Sequence, residues 1–233
     1  MPKLFQKIDP RWILLTNHTL LLTTGVLFYN LNRSVWQIVL GLTAAIVVEL
    51  GLARIFNKEQ NKISSRLLSA MIIGLGFLNL TYSKALWYYP AGITVAIASK
   101  YIFRFDRDNH IFNPTGFAIV FAFAFFPFYK PLIYVDSFLV ATYPMIQVLV
   151  LGILATVIAK RWVLSLTYFL SMTVGAGVLH LSGRHDFMNI MGPELSVVGM
   201  IIPFFMITDP KSSPKNYRGQ VFWGINYAFW NII

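Results

Sequence analysis

The groups able to do chemistry in this chain are few. Nine acidic residues, four histidines and no cysteine stand among 233 residues. Without cysteine there is no disulfide, thiolate metal site, cysteine-held iron–sulfur cluster or thiol catalysis. Of His18, His110, His180 and His185, only His18 lies well inside an apolar run. His180 falls at a different depth, which argues against a haem held between two helices. HExxH, GxSxG and Walker patterns are absent. The informative residues are a spaced set instead. Asp106, Asn113 and Gly116 read D-x6-N-x2-G, and Asp209, Asn216 and Gly219 repeat that pattern 103 residues later. Asn113-Pro114 and Asp209-Pro210 read as helix entries, because Asn or Asp accepts a backbone N–H and Pro suits the first helical position. The chemistry on offer is that of unpaired N–H groups at helix starts, which suit an anionic or polar ligand. Two acids sit in or beside apolar runs. Glu49 has Arg54 about one turn on, which predicts an ion pair reaching towards the membrane surface. Glu194, beside Gly192-Pro193, is placed to cap a short span or to approach a site within it.

The elements that must position these residues are membrane helices. Hydrophobic residues make up 57% and charged residues 12%, against roughly 45–50% and 25% in soluble domains. Stretches without Asp, Glu, Lys or Arg cover 12–32, 67–83, 85–99, 109–129, 137–159, 162–183, 195–208 and 219–233, and 34–53 holds only Glu49. A helix crossing a ~30 Å hydrocarbon layer needs about 20 apolar residues, so the expectation is an all-α polytopic membrane protein of nine transmembrane helices. Of the 19 Lys and Arg, only Arg33, Lys84, Lys130 and Arg184 fall in one set of alternate loops. The positive-inside rule then makes the amino terminus cytoplasmic, in what reads as a bacterial inner membrane. The net charge of +10 therefore reports orientation, and neither a nucleic-acid partner nor a disordered chain. Trp36, Trp87, Tyr88, Tyr89, Tyr129 and Tyr134 are expected to form an aromatic belt at the outer boundary. The last run stops without a polar flank, which predicts a further tail carrying a tenth helix.

The repeated loop pattern extends upstream. Gly74 and Gly76 match Gly175 and Gly177, 101 residues apart. Two pseudo-repeated halves, about 34–128 and 137–233, follow, with the same orientation and a pseudo-twofold along the membrane normal. The short spans 85–99 and 195–208 are equivalent in this scheme. Pro90 with Gly92 interrupts the first and Pro203 the second. Short, interrupted helices at matching places in two halves are a sequence pointer to a binding site within a membrane.

The segments His110-Ile111-Phe112-Asn113-Pro114 and Phe205-Met206-Ile207-Thr208-Asp209-Pro210, with Arg218-Gly219 beyond, resemble the RnfD/NqrB family over roughly residues 35–233. Its members are membrane subunits of the Rnf and sodium-translocating NADH:quinone oxidoreductase complexes, with smaller stand-alone members that include ones encoded in enediyne biosynthesis clusters. The resemblance implies about ten helices in two halves, and a flavin, FMN or riboflavin. In the respiratory complexes FMN is joined through its phosphate to a Thr near D-G-x-S-x-A-T on the outer side. Here Asp136, Ala141 and Thr142 keep that spacing, while Ser137 and Leu139 replace the Gly and Ser and Val140 follows. The resemblance thus implies either covalent FMN at Thr142 or a non-covalent flavin between the halves near Asn113, Pro114, Thr208, Asp209 and Pro210. The non-covalent site is favoured, because Leu139 and Val140 are bulky where a transferase must seat the backbone.

Two classes of function stay open. One is a flavin-binding electron-transfer subunit working with other membrane redox subunits as part of an oxidoreductase. The other is a non-redox binding subunit, carrier or accessory component of a larger membrane complex.

Overall fold

The computed structural model describes residues 9–56, 62–106, 109–126 and 142–232, and their regular structure is helical. The chain divides into two compact units, Arg11–Phe138 and Leu139–Ile233 with Met1–Pro10.

In the 11–138 unit the helices are α1 (Pro10–Phe28), α2 (Val35–Ile55), α3 (Ile63–Leu80), α4 (Tyr88–Ile102) and α5 (Pro114–Phe125). Local chemistry sets their starts. Ser34 and Gln37 close a capping box at the head of α2, the Ser34 hydroxyl accepting from the Gln37 N–H at 3.2 Å and the Gln37 side chain from the Ser34 N–H at 3.0 Å. Arg54 in its last turn suits the negative end of the helix dipole. Close approach is bought with glycine: a Cβ on Gly41 would stand 3.1 Å from Ile93, and one on Gly74 would stand 3.2 Å from Ala45. α1 is tied to α3 by the Arg11 guanidinium donating to Ser65 Oγ at 3.0 Å and by the Asn79 amide donating to the His18 carbonyl at 2.9 Å.

In the second unit the helices are α6 (Thr142–Ile158), α7 (Trp162–Leu181), α8 (Phe187–Glu194), α9 (Val197–Ile201), a π-helical turn at Ile202–Met206, and α10 (Tyr217–Ile232). Gly183, with φ +72°, ends α7. A core of Leu164, Tyr168, Met172, Met191, Ile207 and Ala228 joins α7, α8 and α10. A Cβ on Gly224 of α10 would stand 2.9 Å from the Leu164 carbonyl oxygen of α7, so these two backbones run close together.

Apolar side chains fill the interior and also cover much of the outer surface. Leu166, Leu170, Val174 and Val178 form an exposed apolar stripe along α7, and Val35, Val39 and Val47 do so on α2. Asn17, Gln37, Glu49, Thr156, Ser165 and Gln220 are buried. By length and composition α2, α3 and α7 are fit to cross a membrane, and the bent pair of α8 with α9 and its π turn raises the number to four. Every one of the nine expected runs carries a helix. Several are shorter than a full crossing, however: α5 has 12 residues, about 18 Å at ~1.5 Å per residue.

Three further expectations change. Pro90 lies in the first turn of α4, where it has no intrahelical N–H to forfeit, so it opens a continuous helix instead of interrupting one. The loop expected before residue 195 contains α8, whose axis turns by 64° into the following segment. Tyr88 and Tyr89 are fully buried and belong to the core, not to a surface belt. The Tyr89 hydroxyl accepts from the Ser83 N–H at 3.1 Å, which gives its polar tip a partner inside. Trp36 and Trp87 are exposed, while Tyr129 and Tyr134 lie outside the described residues.

Candidate functional site

The first motif loop, between α4 and α5, is a small antiparallel turn. Arg104 and His110 form its bridge. Asp106 holds its tip, accepting from the Asn109 backbone N–H and side-chain amide at 2.8 Å each. Asn113 then caps α5, its side-chain oxygen accepting from the Gly116 N–H at 3.0 Å, and Pro114 takes the first helical position. The Asn113 side-chain oxygen is therefore used in starting the helix.

Beneath this helix start lies a polar group that the sequence did not mark as a set. Thr115, the residue after Pro114, is buried, as are His18 of α1 and Asn79 of α3. A Cβ on Gly76, one turn before Asn79 on α3, would meet Thr115 Oγ1 at 3.3 Å and His18 Nε2 at 3.7 Å. The Asn79 amide donates to the His18 carbonyl, while its side-chain oxygen is buried without a hydrogen bond. Side chains of α1 and α5 thus pack closely on α3 at Gly76, which a larger residue would push apart.

The second motif loop, between the π turn and α10, is held differently. The Thr208 hydroxyl donates to the Phe204 carbonyl at 2.6 Å. Asp209 accepts from the Lys211 N–H at 3.1 Å, and its carbonyl accepts from Ser212 and Ser213. Asp209-Pro210 therefore forms a turn and does not open a helix. That role falls to Asn216, which accepts from the Gly219 N–H at 2.6 Å, the same cap as Asn113 makes. The loop is pinned to the α6–α7 connection by Arg161, which donates to Ser213 Oγ at 2.8 Å, and by Gln220, which donates to the Lys160 carbonyl at 2.9 Å. Burial lowers the Arg161 pKa, and the Asp209 carboxylate opposes that shift. Thr142 is the exposed first residue of α6. Asp136 and Ala141 lie outside the described residues.

Each unit also buries one carboxylate against a tyrosine. In the first, the Tyr101 hydroxyl donates to Glu49 at 2.8 Å, and Lys100 forms an ion pair with the other oxygen. The partner of Glu49 is thus Lys100 on α4 and not Arg54, since Glu49 points into the α2–α4 contact while Arg54 is exposed. In the second, the Tyr168 hydroxyl donates to Glu194 at 2.6 Å, and Asn231 donates to the Tyr168 oxygen and, at 3.2 Å, to Glu194. Among the described residues no cation reaches Glu194. Apolar neighbours in the sequence were the only signal for Tyr101, Tyr168 and Asn231, and that signal does not distinguish a polar tip from ordinary core packing. Among the described residues no three His, Asp or Glu side chains are grouped to hold a metal ion.

Fold and burial together define an all-helical chain with several helices of membrane-crossing character. No protein-family model matches it, and a comparison with curated proteins finds no match either.

Proposed function

We propose that this chain is an integral membrane subunit of the RnfD/NqrB kind that holds a flavin, FMN or riboflavin, and passes electrons between membrane redox partners. In this reading the nine helices all lie in a bacterial inner membrane with the amino terminus cytoplasmic, and the two units are the pseudo-repeats. The observation that carries it is the polar point under Asn113-Pro114, the loop on which the resemblance rests. The Asn79 side-chain oxygen, one turn along α3 from the Gly76–Thr115 contact, lacks a donor, and the imide N–H of a flavin ring is a donor of the right kind. A buried acceptor left unpaired costs about 1–3 kcal/mol, so a ligand supplying that N–H is favoured. The flavin would supply the redox chemistry; the protein fixes its position and surroundings. Asn113 and Pro114 hold the start of α5 in place, and Gly76 lets Thr115 of α5 pack against α3. Thr208, Asp209 and Pro210 build the corresponding loop of the other unit. Thr142, exposed at the head of α6, is the position for covalent attachment, and the bulk of Leu139 and Val140 favours the non-covalent mode.

The test is an absorbance spectrum of the full chain purified from a host able to attach flavin, beside fluorescence in a denaturing gel. Flavin absorbance that survives Thr142→Ala, leaves on acid precipitation and is lost in Asn79→Leu supports the non-covalent site. In-gel fluorescence abolished by Thr142→Ala would place the flavin covalently instead. A colourless protein would overturn the redox reading and leave the non-redox binding or carrier subunit.

A further inference from the structure

At the end of the 11–138 unit where α2 and α4 finish and α3 begins, the carboxylates among the described residues are already engaged. Glu49 is taken by Tyr101 and Lys100, and Asp106 by the amides of Asn109. Two half-buried guanidinium groups stand beside them. Arg104 lies over the Phe56 ring with its Cζ 5.6 Å from the centroid, and Phe56 packs on Tyr101 at 5.5 Å. Arg66 is close enough to bear electrostatically on the same Tyr101, and its Nε is buried without an acceptor. Among the described residues neither guanidinium meets a carboxylate. Around them the surface is apolar: Ile55 is 72% exposed, Ile63 57%, Ile102 63% and Phe105 78%.

We propose that this end of the unit binds the phosphate of an anionic phospholipid, with Arg66 and Arg104 supplying the charge-assisted hydrogen bonds. A guanidinium presents several N–H donors in a plane that matches phosphate oxygens. The exposed Ile and Phe side chains beside it meet the acyl chains, which a free anion does not have. The ends of α2 and α3 are where the hydrocarbon layer gives way to headgroups, so both halves of the lipid are met at their own depth. The inference rests on the membrane reading of the fold and not on flavin.

The full chain in an uncharged detergent is examined by native mass spectrometry with phosphatidylglycerol, with phosphatidylcholine of the same acyl chains, and with inorganic phosphate. Phosphatidylglycerol is retained in preference to phosphatidylcholine, and inorganic phosphate does not displace it. Arg66→Gln and Arg104→Gln each lower its retention about fivefold, the effect of one basic residue near an anionic headgroup. Lys62→Gln, an exposed neighbour at the start of α3, leaves it nearly unchanged. Arg104→Lys keeps part of the binding, and because Arg104 lies in a loop its variants carry the test if Arg66→Gln does not fold. Equal retention of phosphatidylcholine, displacement by inorganic phosphate, or undiminished binding in Arg104→Gln would overturn the proposal. The presence or absence of flavin in the same preparations reports separately on the redox reading.

Discussion

Replacing Tyr168 by Phe removes one oxygen from a fully buried ring and leaves its packing in place. That oxygen serves two partners: it donates to Glu194 at 2.6 Å and accepts from Asn231. Glu194 is left with Asn231, at 3.2 Å, and among the described residues no cation shares its charge. A hydrogen bond to a charged group is worth about 1.5–3 kcal/mol, so Tyr168→Phe costs about 2 kcal/mol. Tyr101→Phe makes the same chemical change beside Glu49, but there Lys100 remains, so the loss is about 1 kcal/mol. The difference of ~1 kcal/mol is a factor of about five in the unfolding equilibrium. Unfolding in mixed micelles titrated with sodium dodecyl sulfate measures both variants on one scale. Glu194→Gln supplies the control, since an amide in place of the carboxylate makes Tyr168→Phe cheaper, at about 1 kcal/mol or less. Equal costs for the two tyrosines, or a Tyr168→Phe cost unchanged in the Glu194→Gln background, would refute the claim that Glu194 depends on neutral donors.

Single cysteines at Lys62 and Lys84, exposed near opposite ends of α3, label from opposite sides of intact cells and spheroplasts; labelling from one side only contradicts the orientation derived from the Lys and Arg distribution. Asn113→Ala and Asn216→Ala each destabilise by about 1 kcal/mol in the same unfolding titration, the ordinary cost of an N-cap, whereas Asp209→Ala, which caps no helix, costs less. Gly224→Ala forces α10 off α7 and lowers stability by about 2 kcal/mol, in the range of overpacking, while Gly177→Ala, whose Cβ would meet nothing within 4 Å, does not.

Much of the fold was legible because charge-free runs map helices wherever burying a charge is expensive. The Asn113 cap was legible too, since a side chain reaching the third residue on is a local event written in adjacent letters. Asp209-Pro210 carried the same local signal, yet the π turn and Thr208 hold that segment as a turn, and Asn216 opens the helix instead. Pairings across helices leave no such trace. Lys100 is far from Glu49 in sequence and lies on another helix, while Arg54 stood one turn away and was the natural expectation. Nothing near Glu194 announced Tyr168 or Asn231, because aromatic and amide residues in apolar helices are common and only their convergence matters. The same holds for the point at Gly76, where residues of α1, α3 and α5 meet. α8 escaped notice because eight residues between two turns have too short a period to register.

The contact between α7 and α10 at Gly224 bears on how this protein responds to temperature. Helices in water associate because apolar faces leave the solvent, a drive that carries a large heat-capacity change and weakens on cooling. In hydrocarbon the displaced neighbour is an acyl chain as apolar as leucine, so that drive is missing. In the membrane reading of the fold, what remains where Gly224 admits the Leu164 carbonyl is dispersion between closely fitted backbones. Such a joint contributes little heat capacity, and its strength stays nearly level from the cold to the growth temperature. On that reading it also survives the exchange of lipid for detergent, as the fit of one backbone to the other does not depend on which apolar solvent surrounds the pair.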